Sequence, residues 1–468
     1  MEYKPKPDAA RVTPERYRVV LYCPDTHLAH HGRTDEEKGV GGGVSARIGL
    51  MRALARLGHE VTAYVNCDAP GEYDGVRYEH FKRVKKIETD ILIATSSGGR
   101  LDLRPLTKVD VRARIRTGWL HAIPCPRGIE RLNLDWVYVV SNFLRDRVVT
   151  SGDIEPQRIF VLYNGIESSW YTPLWRSPPE RDPYRIAYVG HPSKGLRFAR
   201  KIIEILRRLN PRYQLHVFGA ASLHGQTDSE CPEGGDGIVM HGVVGQRDLV
   251  RQLFQCGFAL FIQDVPEHFG IALIQAKYAG AIPIASSVGA FPELIRHGWD
   301  GLIASGDPGD AATHEQVAKW IQVMIETPDY THWLRSNAMN PFWDWDRTAR
   351  TLTVHWNDHL QGYEDRTDSL TIPCPHCERS MAQYPDGFRC FGCGRFYPWP
   401  QGLTFVEGAA DMHRLRDQLR ELEIAFERVR NQYAFNVREL ELITSSRGYR
   451  ILKTYWSLKD KLRRLLGR

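Results

Sequence analysis

The sequence contains no uninterrupted apolar run long enough for a helix that crosses a bilayer. Its first residues, M-E-Y-K-P-K-P-D, also lack the apolar core of a signal peptide. Hydrophobic residues make up 42% of the chain and charged residues 25%, which is ordinary for a soluble protein. We therefore expect a cytoplasmic protein, and 468 residues are enough for two or three domains.

Outside the end of the chain, basic and acidic residues nearly balance and no net positive charge remains. The whole chain has a net charge of +6, whereas residues 446–468 alone carry eight Lys or Arg side chains against Asp460. The rest of the chain therefore has a net charge of −1. The basic excess belongs to this tail and says little about the partners of the body.

The nine cysteines fall into two groups. Five are scattered along the chain and are expected to be reduced thiols: Cys23, Cys67, Cys125, Cys231 and Cys256. The other four form two C-x-x-C pairs separated by twelve residues: Cys374, Cys377, Cys390 and Cys393. In a cytoplasmic protein this spacing indicates a metal site rather than disulfides, and four thiolates favour tetrahedral, structural zinc.

The segment that contains these four cysteines resembles a zinc ribbon. A central P-D-G sequence supplies a hairpin turn between the two cysteine pairs. Zinc ribbons often bind nucleic acid or protein, but the basic residues here are few: Arg379, Arg389 and Arg395. Contact with protein or simple stabilisation is therefore expected, and nucleic acid is not.

Hydrophobic periodicity predicts an α/β protein. Short β-rich runs alternate with helical patterns, and this alternation is typical of doubly wound parallel sheets. The predicted strands lie at residues 17–23, 60–66, 90–95, 117–121, 136–140, 158–162, 185–189, 214–218, 258–262 and 282–285. Four prolines between residues 170 and 184 mark the break between two such sheets, and a helix-rich stretch over about 314–360 is expected to cross back to the first domain.

The segment 267–303 says most about function. An acidic, glycine-hinged loop, Glu267 to Gly270, opens a short helix predicted over about 271–279, so backbone N–H groups at the helix start can hold an anion. The segment resembles the signature of the retaining GT-B glycosyltransferases of group 1, also called glycosyltransferase family four. This sequence departs from that signature at Gln275, where the family has a second glutamate.

Other fragments match the same family in order. G-W-L-H-A resembles the strand end that carries a histidine near the donor sugar, which is His121 here. Y-V-G-H-P-S-K-G-L resembles the first loop of the nucleotide domain, with Lys194 retained and His191 in place of the usual arginine. The resemblance implies catalytic roles for His121 and Glu267. It implies donor binding by Gly42, Gly43, Lys194, Phe269, Gly270, Ile271, Gln275 and Glu293.

The resemblance implies a GT-B fold, in which two doubly wound Rossmann-like domains face a cleft. It implies transfer of a sugar, with retention and without a catalytic metal, from a donor of the UDP, GDP, ADP or dTDP type to a glycan, lipid-linked or other acceptor. Gln275 and His191 also leave open an impaired pseudo-enzyme that serves as a binding scaffold. A third alternative is a related epimerase or phosphorylase, for which we identify no acidic set or pyridoxal lysine motif.

The end of the chain predicts two further helical segments. Residues 412–443 follow three–four spacing with one polar seam position, Asn436, which favours a self-associating coiled coil over a single packed helix. The tail is an amphipathic basic helix suited to an anionic membrane surface, with RNA binding or a solvated coiled-coil end as alternatives. The protein is thus expected to be cytoplasmic, with peripheral contact at the inner face of the membrane.

These patterns divide the chain into six predicted segments. They are an acceptor-side Rossmann-like domain (1–172), a nucleotide-sugar-binding Rossmann-like domain (173–335), crossover helices (336–365), a zinc ribbon (366–407), a coiled coil (408–445) and a basic amphipathic helix (446–468).

Overall fold

A computed structural model of the chain describes residues 16–219, 234–339, 342–361, 372–374 and 376–398. The predicted coiled coil at 408–445 and the basic helix at 446–468 lie outside these residues. None of the helices in the described ranges combines the length and the apolar character that crossing a bilayer needs.

The first sheet has eight strands in the order β3-β4-β2-β1-β5-β6-β7-β8. All neighbouring pairs are parallel except β3 and β4. The strands are β1 (Arg18–Tyr22), β2 (Glu60–Val65), β3 (Gly71–Tyr73), β4 (Val76–His80), β5 (Lys86–Thr95), β6 (Asp110–Leu120), β7 (Trp136–Val139) and β8 (Ile159–Val161). Its helices are α1 (Thr34–Glu37), α2 (Gly42–Arg56), α3 (Asn142–Ser151) and α4 (Thr172–Arg176).

The second sheet has six parallel strands in the order β11-β10-β9-β12-β13-β14. The strands are β9 (Asp182–Val189), β10 (Gln214–Phe218), β11 (Ile238–Gly242), β12 (Cys256–Phe261), β13 (Ile282–Ser286) and β14 (Leu302–Ala304). The helices of this half are α5 (Pro192–Leu209), α6 (Gln246–Phe254), α7 (Ile271–Tyr278), α8 (Phe291–Leu294), α9 (Ala311–Glu326) and α10 (Pro328–Ala338). The α/β class and the two doubly wound sheets predicted from periodicity are confirmed.

One long helix, α11 (Trp345–Gln361), follows the second sheet and packs on the first. Near its start, Asp346 accepts from Arg56 of α2 at 2.6 Å. Further along, Thr353 lies 2.9 Å from the His59 ring, and Asn357 accepts from Tyr17 at 2.5 Å. The chain therefore crosses back to its first half before the cysteine-rich segment begins.

The third sheet is small and antiparallel, in the order β15-β16-β17-β18. Its strands are β15 (Ile372–Pro373), β16 (Ser380–Tyr384), β17 (Gly387–Cys390) and β18 (Phe396–Pro398). Residues 385–386 form the turn between β16 and β17, at the predicted P-D-G sequence. We call residues 372–374 and 376–398 the cysteine module.

Candidate functional site

A pocket with a volume of about 200 Å³ lies between the two Rossmann-like halves. The first turns of α2, α5 and α7 border it. Nine of the residues predicted to act in catalysis or donor binding line it: Gly42, Gly43, His121, Lys194, Glu267, Phe269, Gly270, Ile271 and Gln275. The fold thus brings together residues spread over more than 230 positions of sequence, although their individual roles remain predictions.

The start of α7 presents unpaired amides to this pocket. Gly270 has a φ of 105°, a left-handed conformation that glycine adopts easily, and it turns the chain sharply into the helix. The amides of Leu273 and Ile274 donate to the Gly270 carbonyl oxygen. The N–H groups of Ile271 and Ala272 precede this first helical bond and border the pocket, so they are available to an anion.

Lys194 and Glu267 form an ion pair at the mouth of the pocket. The Lys194 ammonium donates to the Glu267 carboxylate at 2.6 Å, and the two side chains are 31% and 24% exposed. Burial lowers the pKa of the neighbouring His268. The Glu267 charge opposes this lowering, and the Lys194 charge adds to it. The pocket therefore holds one cation and one carboxylate that a bound ligand can separate.

His121 lies at the end of β6, with its ring centroid 4.4 Å from that of Trp119. Burial, together with the charges of Arg47 and His268, lowers the pKa of His121 to about 3. Its Nε2 atom has no hydrogen-bond partner among the described residues, and neither does the Oδ1 atom of Asn164, a buried residue that also lines the pocket. A neutral imidazole and an amide oxygen thus remain for a polar ligand.

Gln275 is buried at the inner wall, on the second turn of α7. Its amide donates to the side-chain oxygen of Gln246 at 2.5 Å, and Gln246 is the first residue of α6. Sequence reasoning missed Gln246, because a partner 29 residues away in the chain belongs to no local pattern. Two neutral amides therefore stand where the family resemblance implied a carboxylate.

The glycines at the start of α2, from Gly39 to Gly43, matter in two ways. A side chain at Gly39 would meet Val243 at 2.1 Å and the Val244 carbonyl oxygen at 2.7 Å, so this glycine allows the two halves to approach closely. Gly42 and Gly43 border the pocket as the first two helical residues.

Glu293 does not line the pocket. It belongs to the short helix α8, and its carboxylate accepts from the amides of Asn142 and Phe143 at 2.9 and 2.6 Å. Tyr163 also donates to it. Burial raises the pKa of Glu293, and these three hydrogen bonds oppose the rise. The donor-binding role predicted for Glu293 is not supported by this position, because its carboxylate binds the start of α3 in the other half.

Among the residues that the structure describes, no Lys or Arg other than Lys194 lines the pocket, although His191 does. His191 caps α5 by accepting from the Ser193 amide at 3.2 Å. Arg197 donates to Asp264 outside the pocket. Lys194 is thus the cation that the lining offers directly, with the helix starts beside it.

The four cysteines predicted to bind metal lie together, with their sulfur atoms all within 4.8 Å of one another. The Cys374 and Cys393 sulfurs are 3.7 Å apart, and those of Cys377 and Cys390 are 3.4 Å apart. Four thiolates at about 2.3 Å from a zinc ion would be about 3.8 Å from one another. The donor set and its spacing therefore fit tetrahedral zinc.

Comparison with known proteins identifies part of this architecture. Residues 183–321 match the family model described as glycosyl transferases group 1. The chain carries a group 1 glycosyltransferase domain. The matched range contains the second sheet, Lys194 and the whole segment from Glu267 to Glu293.

Two curated relatives align with about half of the chain. The alpha-maltose-1-phosphate synthase of Mycolicibacterium smegmatis is 25% identical over 213 residues, which are 42% of this chain and 55% of that protein. The GDP-mannose:cellobiosyl-diphosphopolyprenol alpha-mannosyltransferase of Xanthomonas oryzae pv. oryzae is 24% identical over 232 residues, 48% of this chain and 60% of that protein. The chain therefore spans less than two thirds of the length of these relatives, and they support the prediction of a transferase.

The solved structure of the sucrose-phosphate synthase of Thermosynechococcus elongatus shares the fold. It aligns with a TM-score of 0.51 and 13% identity over 74% of this chain and 100% of that chain. The predicted GT-B-like architecture, with two Rossmann-like domains of parallel sheet around a cleft, is thereby confirmed for the glycosyltransferase part of the chain.

Proposed function

We propose that this protein transfers a sugar from a nucleoside-diphosphate sugar to an acceptor hydroxyl, with retention and without a catalytic metal ion. The observation that carries this proposal is the convergence of the α2 and α7 helix starts with Lys194 beside Glu267. A diphosphate leaving group gains negative charge as the glycosidic bond breaks. Oriented amides and one ammonium stabilise that charge where it develops.

Five polar residues of the pocket have roles in this scheme. Lys194 leaves Glu267 and pairs with the diphosphate, and the freed Glu267 carboxylate faces the sugar hydroxyls or the developing oxocarbenium ion. Neutral His121 contacts the donor sugar through the Nε2 atom that lacks a partner among the described residues. Gln275 and Gln246 offer donors and acceptors to the ribose hydroxyls, with less strength than a carboxylate would provide.

The acceptor proposed is a glycan or a lipid-linked glycan. The matched relative from Xanthomonas oryzae is named for a diphosphopolyprenol-linked acceptor and a GDP-mannose donor. A lipid-linked acceptor would also suit the peripheral membrane contact that we propose for the basic residues 446–468 of a cytoplasmic protein. Self-association through residues 408–445 is likewise a proposal, which light scattering of the full chain and of a chain ending at residue 407 would test.

A second candidate is a sugar- or nucleotide-binding scaffold without catalysis. The Gln275–Gln246 pair favours it, because the Gln275 NH2 group already donates to Gln246 and Gln275 stands where the family has a carboxylate for the ribose. Retained binding of a nucleotide sugar together with undetectable turnover or donor hydrolysis would support this reading.

For the cysteine module we propose a structural zinc ion bound by Cys374, Cys377, Cys390 and Cys393. Metal analysis of the purified chain tests this. One zinc per chain is expected, and its loss from a Cys377→Ser, Cys390→Ser variant is the matched control.

The donor site is tested by thermal melting with UDP-, GDP-, ADP- and dTDP-sugars. A ligand present at about a hundred times its dissociation constant adds about 2.7 kcal/mol to the stability of the folded state. We expect a shift with one nucleotide class and a much smaller one for Lys194→Ala. NMR analysis of the product with that donor should then show the anomeric configuration of the donor. No shift with any of the four classes would contradict the proposed function.

A further inference from the structure

The cysteine module is packed against the first Rossmann-like half. Asn142, at the start of α3, forms a pair of hydrogen bonds with the backbone of Phe396 in β18. The Phe396 amide donates to Asn142 Oδ1 at 2.9 Å, and Asn142 Nδ2 donates to the Phe396 carbonyl oxygen at 2.8 Å. The side-chain amide of Asn142 is thus held by a segment that begins three residues after Cys393.

Two arginines strengthen this attachment. Arg389 is buried, donates to the Val161 carbonyl oxygen of β8 at 2.8 Å, and is paired with Asp386 through two hydrogen bonds of 2.6 and 2.7 Å. Arg145 of α3 donates to the backbone carbonyl of Cys393 itself. The metal-binding loop is therefore bonded directly to the helix whose first residue is Asn142.

The start of α3 also contacts the second Rossmann-like half. The amides of Asn142 and Phe143 donate to Glu293. Ser141 Oγ donates to the carbonyl oxygen of His268 at 2.5 Å, and His268 lies in the loop between Glu267 and Gly270. The start of α3 is thus bonded at once to the cysteine module, to α8 and to the pocket loop.

Three aromatic rings in contact also connect the cysteine module with the pocket. The Tyr163 ring centroid lies 4.8 Å from that of Phe396 and 5.4 Å from that of Phe269, which lines the pocket. The Tyr163 hydroxyl donates to Glu293. Phe396 and Phe269 are both buried, so a shift of one ring displaces the rings packed against it.

We propose that the cysteine module is a positioning element of the donor pocket. When metal fixes the loop from Cys390 to Cys393, β18 holds Asn142 and Tyr163, and these hold the 267–270 loop in the arrangement that lines the pocket. Loss of the metal loosens this junction and weakens nucleotide binding without removing any residue that touches the nucleotide. The ligand named here rests on the proposed function, whereas the mechanical coupling does not.

The coupling is tested first without any ligand, by hydrogen exchange of the full chain. Asn142→Ala removes the paired amide bonds to Phe396 and leaves its backbone amide able to bind Glu293. We expect amides in 267–275 to exchange about tenfold faster in Asn142→Ala, and in the wild-type chain after its zinc is removed with a mercurial and a chelator. Arg379→Ala, an exposed position of the module, is the control and should exchange like wild type.

Two outcomes would overturn the proposal. In one, zinc removal speeds exchange in 372–398 and leaves 267–275 unchanged, so the module is only an attached stabiliser. In the other, Asn142→Ala lowers the melting temperature but exchange in 267–275 rises no more than in the rest of the chain. The second result assigns Asn142 a general structural role.

The second arm measures affinity for UDP, GDP, ADP and dTDP. For whichever binds wild type best, Asn142→Ala and the zinc-depleted chain should bind about tenfold more weakly, and Arg379→Ala should bind equally well. Equal affinity in all four proteins would contradict the inference. If wild type binds none of the four nucleotides, the proposed function fails, and the exchange experiment still decides the coupling.

Discussion

Two glutamates of segment 267–303, Glu267 and Glu293, have contrasting surroundings. Glu267 is bonded to one flexible ammonium, Lys194, and lines the pocket. Glu293 is bonded to two backbone amides and a tyrosine hydroxyl of the opposite half and lies outside the pocket lining. A carboxylate with one mobile partner can exchange it for a ligand, whereas one bonded to three fixed donors cannot do so without separating the two halves.

The contrast shows how one motif serves two purposes. Glu267 lines the pocket, whereas Glu293 bonds its own half of the molecule to the start of α3 in the other half. In the chain the two glutamates are joined through α7 and β13, and Glu293 lies on α8. Substitutions at the two positions should therefore affect different measurements.

The largest effect is expected from Glu267→Ala on turnover. Removing a carboxylate that acts on the developing charge should lower kcat by about 100- to 1,000-fold. The free energy of unfolding should change by less than about 1 kcal/mol, because the ion pair with Lys194 is partly exposed. Asp264→Ala is the matched control, since it removes a carboxylate that is also paired with a cation of α5. That cation is Arg197, and the pair lies outside the pocket. A normal kcat in Glu267→Ala would show that Glu267, like Glu293, has no catalytic role.

Glu293→Ala should have the next largest effect, this time on stability. It leaves two amides and the Tyr163 hydroxyl without their acceptor, which should lower the free energy of unfolding by about 2–3 kcal/mol in denaturant titrations. Glu293→Gln retains one acceptor oxygen and should lose less. Glu204→Ala, an exposed glutamate on α5, is the control. Unchanged stability together with lost nucleotide affinity would instead indicate that Glu293 binds the donor.

Gln275→Glu tests whether the ribose of the nucleotide binds at the inner wall of the pocket. A carboxylate there strengthens hydrogen bonds to a ribose by about 1 kcal/mol, so nucleotide affinity should rise about fivefold by calorimetry. The unliganded protein should become less stable, since the added charge is buried beside Gln246. Gln316→Glu on the surface should do neither. Weaker nucleotide binding by Gln275→Glu would show that the ribose does not lie at this wall.

A smaller effect concerns the dependence of stability on pH. Burial lowers the pKa values of His30 and His121 to about 3 and that of His59 to about 4. Below their ordinary pKa of about 6.5 the unfolded chain takes up protons that the folded chain does not, so stability falls as the pH falls from 6.5 towards 4.

His59→Gln tests this pH dependence. The loss of unfolding free energy between pH 6.5 and 5.5 should be smaller by up to about 1.4 kcal/mol than in wild type, because one histidine no longer titrates in the unfolded chain. His332→Gln, at an exposed position of α10, is the control substitution. An identical slope in wild type and His59→Gln would mean that His59 titrates alike in both states.

Much of the fold could be predicted because its strands are buried on both faces. Runs such as those of β1 and β13 are mostly apolar, as buried parallel strands require, and their observed bounds differ from the predicted ones by about one residue. The hairpin β3 and β4 was missed because β3 is a three-residue edge strand and charged residues interrupt the apolar ones of β4. The edge strand β11 was missed as well, and its residues are all partly exposed.

The site could be predicted only as far as local motifs reach. Gly270, Lys194 and Glu267 belong to short patterns with a direct chemical meaning, and the fold brings them together. The Gln246 partner of Gln275 and the Asn142 partner of Phe396 could not be predicted, since each depends on how distant elements pack. The motif that contains Glu293 likewise gives its position in the chain and not the direction of its carboxylate.

The Lys194–Glu267 pair has a consequence for how a charged ligand enters. In the absence of ligand the ammonium is already neutralised by its own carboxylate, so the pocket carries an internal counter-ion. Binding of a diphosphate is then an exchange of one anion for another at Lys194, and product release is the reverse exchange. Such a site captures few dissolved counter-ions that must be displaced, so its affinity for a nucleotide should depend only weakly on ionic strength.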